Sequence, residues 1–220
     1  MQQTPQQQLS DLYDRAQGTM VAFIDESYRA PSQAIGGGSF YLLTAVLFPR
    51  AHLDAIRTSL ETLSGGGRWH TTDEAQTELG RERIIKMSAQ IAKCGAVVVA
   101  IQDSIPAGDK NAEAARERCF EVLLSQLCGS GSLDPDGLVV FERRRDSHQR
   151  NSDNATIRSL RREGRIPQSL LVHPASPADE TLLYAPDIAA WALRRAHTHD
   201  ESQFIDPIAK TELHRLKAKP

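Results

Sequence analysis

Three uninterrupted apolar runs constrain this chain more than any other feature: "MVAFID" at 20–25, "FYLLTAVLF" at 40–48 and "AVVVAIQ" at 96–102. A strand with one wet face alternates apolar and polar residues. A strand that is apolar at nearly every position must be covered on both faces. The first two runs are joined by a connector containing Gly36, Gly37 and Gly38, which allows an antiparallel return, and the second stops at Pro49. The chain is therefore predicted to build a sheet with helices packed on its faces.

The remaining segments fit that plan. "AHLDAIRTSLETLS" places Leu53, Ile56, Leu60 and Leu63 at helical spacing. "GGGRWH" reads as a break and a short third strand. Thr71, three residues before Glu74, reads as a capping box opening a helix to about Lys93 that buries Ile84, Ile85, Ser88 and Ile91. A helix over "AEAARERCFEVLLSQLC", strands "GLVVFE" and "QSLLVH", a helix within 143–165 and a last strong helix "YAPDIAAWALRRAH" follow. Pro186 suits the first turn of that last helix. The order gives an α/β chain with a mixed sheet, two or three antiparallel strands first and strands alternating with helices afterwards. No linker marks a second domain. The predicted organisation is a polar, flexible arm at 1–17, one domain at 18–200 and a polar tail with a marginal helix at 201–220.

Composition excludes several classes. No run is long enough for a membrane helix, and the start "MQQTPQQQLSD" has no signal-peptide pattern, so a cytoplasmic protein is expected. Cys94, Cys119 and Cys128 form no closely spaced pair and read as reduced thiols rather than a zinc site. The net charge of −2 gives no overall attraction to nucleic acid, so any phosphate affinity must be local. No P-loop, dinucleotide fingerprint or nucleophile elbow is present.

Four acidic residues stand where chemistry gathers in such sheets. Asp25 and Glu26 close the first apolar run, Glu142 closes "GLVVFE", and Asp187 lies in the first turn of the last helix. If the two strands are parallel neighbours, their C-terminal ends lie together, where open sheets collect ligands. Clustered carboxylates stay ionised together only around a cation, and an all-oxygen set suits Mg²⁺ or Mn²⁺. The bland alternatives are strand ends emerging into water and Asp187 serving the helix dipole. Successive strand residues face opposite sides, so Asp25 and Glu26 share one site only across a twist or bulge.

The segment after Glu142, residues 142–165, holds eight arginines against four acids. Arginine's planar fork matches phosphate, and Arg143, Arg144, Arg145, Arg158, Arg161 and Arg162 are candidates for holding a nucleic-acid backbone. A solvated helix with internal ion pairs is the alternative. His70 is a candidate proton shuttle if "RWH" reaches the same edge, and otherwise a structural hydrogen-bonder.

The segments "FIDES", "FYLLTAVLF", "RWH", "VVFERRRDSHQ" and "LLVHPASPADETLLYAPDIAAWAL", taken in order, resemble the RNase H-like family filed as domain of unknown function 3800 (DUF3800). The resemblance spans residues 19–197. It implies an RNase H-like mixed sheet, with Asp25 and Glu26 on the family's first acidic pair, Glu142 where an aspartate is usual, Asp187 on the final aspartate and Ser176 on a loop serine. Tyr28 replaces a glycine, Tyr184 replaces a glutamine, and Pro186 precedes Asp187.

The resemblance further implies a divalent-metal nuclease acting on RNA or DNA, with two Mg²⁺ or Mn²⁺ ions. Asp25 would bridge them, Glu142 and Asp187 would complete one each, and Glu26 would be a partial or outer ligand. The alternatives are a module of the same fold that binds nucleic acid or protein without turnover, and a metal-dependent phosphoesterase acting on small phosphate compounds.

Overall fold

A computed structural model describes residues 4–34, 38–210 and 213–219. Six strands form one sheet in the order β5-β4-β1-β2-β3-β6: β1 Met20–Arg29, β2 Phe40–Pro49, β3 Ala96–Gln102, β4 Leu138–Glu142, β5 Leu171–Ala175 and β6 Leu213–Lys217. β1 pairs antiparallel with β2, and β2 antiparallel with β3. β4 runs parallel to β1, β5 parallel to β4, and β6 parallel to β3. This is the mixed sheet expected from the sequence, antiparallel across its first three strands and parallel through β4 and β5.

The continuous apolar runs are explained by a core on each face. Val21 and Phe23 point into one core and Ala22 and Ile24 into the other, as strand alternation requires. The first face is covered by α1 (Pro5–Arg15), α2 (Leu53–Ser64), α4 (Glu78–Cys94) and α7 (Tyr184–His199). The second is covered by α5 (Glu113–Gly129) and α6 (Ser147–Arg162). Two single turns complete the set, α3 (Thr71–Glu74) and α8 (Asp206–Ala209).

Several readings of the sequence are corrected. β1 does not end at Asp25 and Glu26 but continues to Arg29 along β2. "GGGRWH" forms no strand; Trp69 is buried and His70 precedes α3. Thr71 does not open the long helix. Thr77 does, its hydroxyl accepting from the Gly80 N–H at 3.0 Å. Gly80 is required there, since a Cβ would lie 1.9 Å from the Glu74 carbonyl oxygen. α4 buries Ile84, Met87, Ser88 and Ile91, while Ile85 is exposed.

At the ends, residues 5–15 form a helix rather than a loose arm, with Leu9 in the core. Among the described residues the polar tail contributes a 3-10 turn at Ser202–Phe204, the single turn α8 and the edge strand β6. Gly36 and Gly37 of the connector lie outside the described residues. All three cysteines are free, and burial pushes the Cys119 thiol up to about 12. No helix among the described residues is long and apolar enough to cross a membrane.

Candidate active site

The parallel pairing of β1 with β4 ends at Ile24 and Phe141. One step further, the same register sets Asp25 beside Glu142. Asp25 lies on the face of Val21 and Phe23, and Glu142 on the face of Leu138 and Val140, which is the same face. α7 packs across that face with Asp187 in its first turn. Three elements distant in sequence thus bring three carboxylates to one sheet edge.

The three acids act on one another electrostatically. Burial, with the charges of Glu26, Glu142 and Asp187, holds the Asp25 carboxyl well above the usual carboxylate range. Burial, then Glu26 and Asp187, also raise Glu142, opposed by a hydrogen bond with Asp25 and by His70. Asp187 is raised by burial, against its bonds from Thr71 and the influence of His70. Each of the three carboxyls disfavours ionisation of the others, so the cluster favours either a shared proton or a bound cation.

Asp187 is held by a short relay. The buried Trp69 indole N–H donates to Thr71 Oγ1 at 2.9 Å, and Thr71 donates to Asp187 Oδ2 through its hydroxyl at 2.8 Å and its backbone N–H at 3.1 Å. Thr71 was read only as a cap; its contact with Asp187 crosses 116 positions of chain and leaves no local signal. His70 does reach this edge, although not on a strand. Its ring is exposed and 3.8 Å from Asp73, and it bears on both Glu142 and Asp187.

Glu26 is not part of the cluster's face. It points to the opposite side of the sheet, where its carboxylate lies 2.7 Å from the buried Arg116 guanidinium. Arg116 also binds Asp153 at 2.8 and 3.1 Å and donates to the Tyr41 hydroxyl at 3.1 Å. Tyr28 stacks on Tyr41 at 5.1 Å. The sequence offered no local sign of this network, which joins β1, β2, α5 and α6.

The arginines divide. Arg143 and Arg145 are exposed just beyond Glu142, with Arg143 3.7 Å from Asp179 in the turn that starts at Ser176. Arg144 is buried by a two-pronged bond to Glu113 at 2.6 and 2.8 Å. Arg161 donates to the Leu170 carbonyl at 2.7 Å, at the start of β5, whereas Glu142 pairs with Ala175 at its end. That is roughly 16 Å along the strands. Arg158 and Arg162 share these last turns of α6, on the other face, so none of the three meets the carboxylates.

The donors at the edge are oxygens only, the set a hard divalent cation prefers. Thr44, directly opposite Asp25 on β2, has a buried hydroxyl oxygen with no hydrogen-bond partner among the described residues. The carboxylate charge and this orphaned oxygen fit a cation. Among the described residues no three His, Cys, Asp or Glu groups converge as a formed metal site.

No protein-family model matches the sequence, and no curated protein matches it. Among solved structures the chain is similar to Bst-RNase HIII in complex with Mn²⁺, with TM-score 0.44, 13% identity, 88% of this chain and 67% of that chain covered. It is similar to a mutant protein of Bst-RNase HIII at TM-score 0.45, with the same identity and coverage.

Proposed function

We propose that this chain is a divalent-metal-dependent nuclease that hydrolyses phosphodiester bonds of RNA or DNA, and that it belongs with the DUF3800 proteins its motifs resemble. The observation that carries this is the gathering of Asp25, Glu142 and Asp187 on one face and edge of the sheet, each held above its ordinary pKa. One buried and two partly buried acids that repel one another are a costly structural device, and a cation would repay that cost.

Asp25 and Glu142 would hold Mg²⁺ or Mn²⁺ with Asp187, whose Oδ2 is oriented by Thr71. A bound pair of ions supplies an activated water and charge neutralisation at the leaving oxygen, as in two-metal phosphodiester hydrolysis. Thr71 and Trp69 keep Asp187 in one orientation, a type of support that metal ligands commonly need. His70, exposed and acting electrostatically on Glu142 and Asp187, would pass a proton between water and the site. Arg143 and Arg145 flank the same edge and would contact the strand. Glu26 acts at a distance, its charge shared with Arg116.

The test is cleavage of labelled single- and double-stranded RNA and DNA with Mg²⁺, Mn²⁺ or EDTA, by wild type and Asp25→Asn. Metal-dependent cleavage by wild type alone is expected. Equal cleavage by both proteins would remove the reading. A second reading, a binding module without turnover, is favoured by the lack of a formed three-group metal site among the described residues. Binding in EDTA with no cleavage under any metal would select it.

A further inference from the structure

A cavity of about 280 Å³ lies between α7, the helix that carries Asp187, and the α3–α4 junction. Its walls include Thr72, Gln76, Arg81, Trp191, Arg194 and Arg195, with three arginines and no carboxylate among the lining residues. Thr72 follows the residue that holds Asp187. Trp191 and Arg194 stand four and seven residues beyond Asp187, on the same stripe of α7. Arg194 is therefore about 10 Å along the helix axis from the acidic edge.

Two of the arginines are accounted for within the fold. Glu201 takes both prongs of Arg195 at 2.7 and 2.9 Å, and Arg81 at 3.4 Å. Arg194 is different. Among the described residues its guanidinium makes no hydrogen bond or ion pair, though it is partly buried and has Arg195 and Arg29 as charged neighbours. Burial and those two cations push its pKa down, so the fold bears a cost for keeping it charged there. An anion in the cavity removes that cost, and a planar guanidinium suits phosphate oxygens.

We propose that Arg194, flanked by Arg81 and Arg195, docks a backbone phosphate of a nucleic-acid strand whose neighbouring phosphodiester lies at Asp25, Glu142 and Asp187. This rests on the nuclease reading and adds a strand direction: away from the edge along α7, not along the arginine-rich α6.

The experiment is fluorescence anisotropy of short labelled RNA and DNA strands in EDTA, over a salt series. It compares wild type, Arg194→Ala, Arg194→Lys and Arg158→Ala, each also melted thermally. Arg194→Ala should weaken binding about ten-fold and make the salt slope shallower by about one unit. Arg194→Lys should keep the slope and lose part of the affinity, since an ammonium lacks the fork. Arg158→Ala should bind as wild type, and Arg194→Ala should melt no lower, because no internal bond is lost.

Wild-type affinity and slope in Arg194→Ala would overturn the site. So would an equal loss in Arg158→Ala, or no strand binding by wild type. Cleavage is read separately on the same strands. Arg194-dependent binding without cleavage removes the nuclease reading and keeps the docking point. Metal-dependent cleavage with Arg194-independent binding removes the docking point alone.

Discussion

Asp25 on β1 and Glu142 on β4 stand side by side, one step beyond the last paired residues of a parallel strand pair, and burial with neighbouring acids raises the pKa of both. Ionisation of either acid is disfavoured by the other, so at neutral pH the folded pair stores electrostatic repulsion. An amide at position 25 removes one ionisable group and should relieve it. Asp25→Asn should stabilise the metal-free protein at neutral pH by about 1 kcal/mol, raising Tm by about 2–4 °C. Thermal melts in EDTA check this, and a lower Tm contradicts it.

The same repulsion sets a pH dependence. Asp25, Glu142 and Asp187 have folded pKa values raised above their unfolded ones. The folded state therefore holds protons that the unfolded chain releases. The stability these groups confer is complete below about pH 4, and it is lost as pH rises through their folded values. A divalent cation replaces the protons. At about a hundred times its Kd, it should add about 2.7 kcal/mol, more at pH 8 than at pH 5. Melts with and without Mg²⁺ across that range measure the effect.

Thr71 should matter to metal affinity without touching the metal. Thr71→Ala strips Asp187 of a 2.8 Å bond and leaves the buried Trp69 N–H without its acceptor. A stability loss of about 1–3 kcal/mol is expected, with metal affinity lowered about 10–100-fold. Thr71→Ser, which keeps the hydroxyl, should restore the affinity in a Mn²⁺ titration.

How far these relations were legible in the sequence depended on their range. β1 to β4 were readable because strands buried on both faces leave unbroken apolar runs. The first helix was readable too, since Thr4 and Gln7 form a reciprocal capping box, yet its glutamine-rich surface suggested a loose arm. β6 was hidden because "LHRLK" lies at an edge with only Leu213 and Leu216 partly covered. Asp25 and Glu142 were visible as acids closing apolar runs, although β1 itself continues to Arg29, and strand alternation already implied that Asp25 and Glu26 face apart. What Glu26 meets was not visible, because Arg116 and Asp153 arrive from helices far along the chain.

That separation of neighbours is testable by stability. Arg116→Ala leaves Glu26 and Asp153 without their shared buried cation and should cost about 3–5 kcal/mol. Glu26→Gln keeps a polar group near Arg116 and should cost less. Urea unfolding of the two variants gives the comparison, and an Arg116→Ala protein as stable as wild type contradicts it.

The most direct measurement is a calorimetric Mn²⁺ titration near pH 8 of wild type, Asp25→Asn, Glu142→Gln and Glu26→Gln. A cation site on the Asp25 face requires that wild type and Glu26→Gln bind Mn²⁺ comparably while Asp25→Asn and Glu142→Gln lose most of the affinity. Binding by Asp25→Asn indistinguishable from wild type, or no Mn²⁺ binding by wild type, would contradict it.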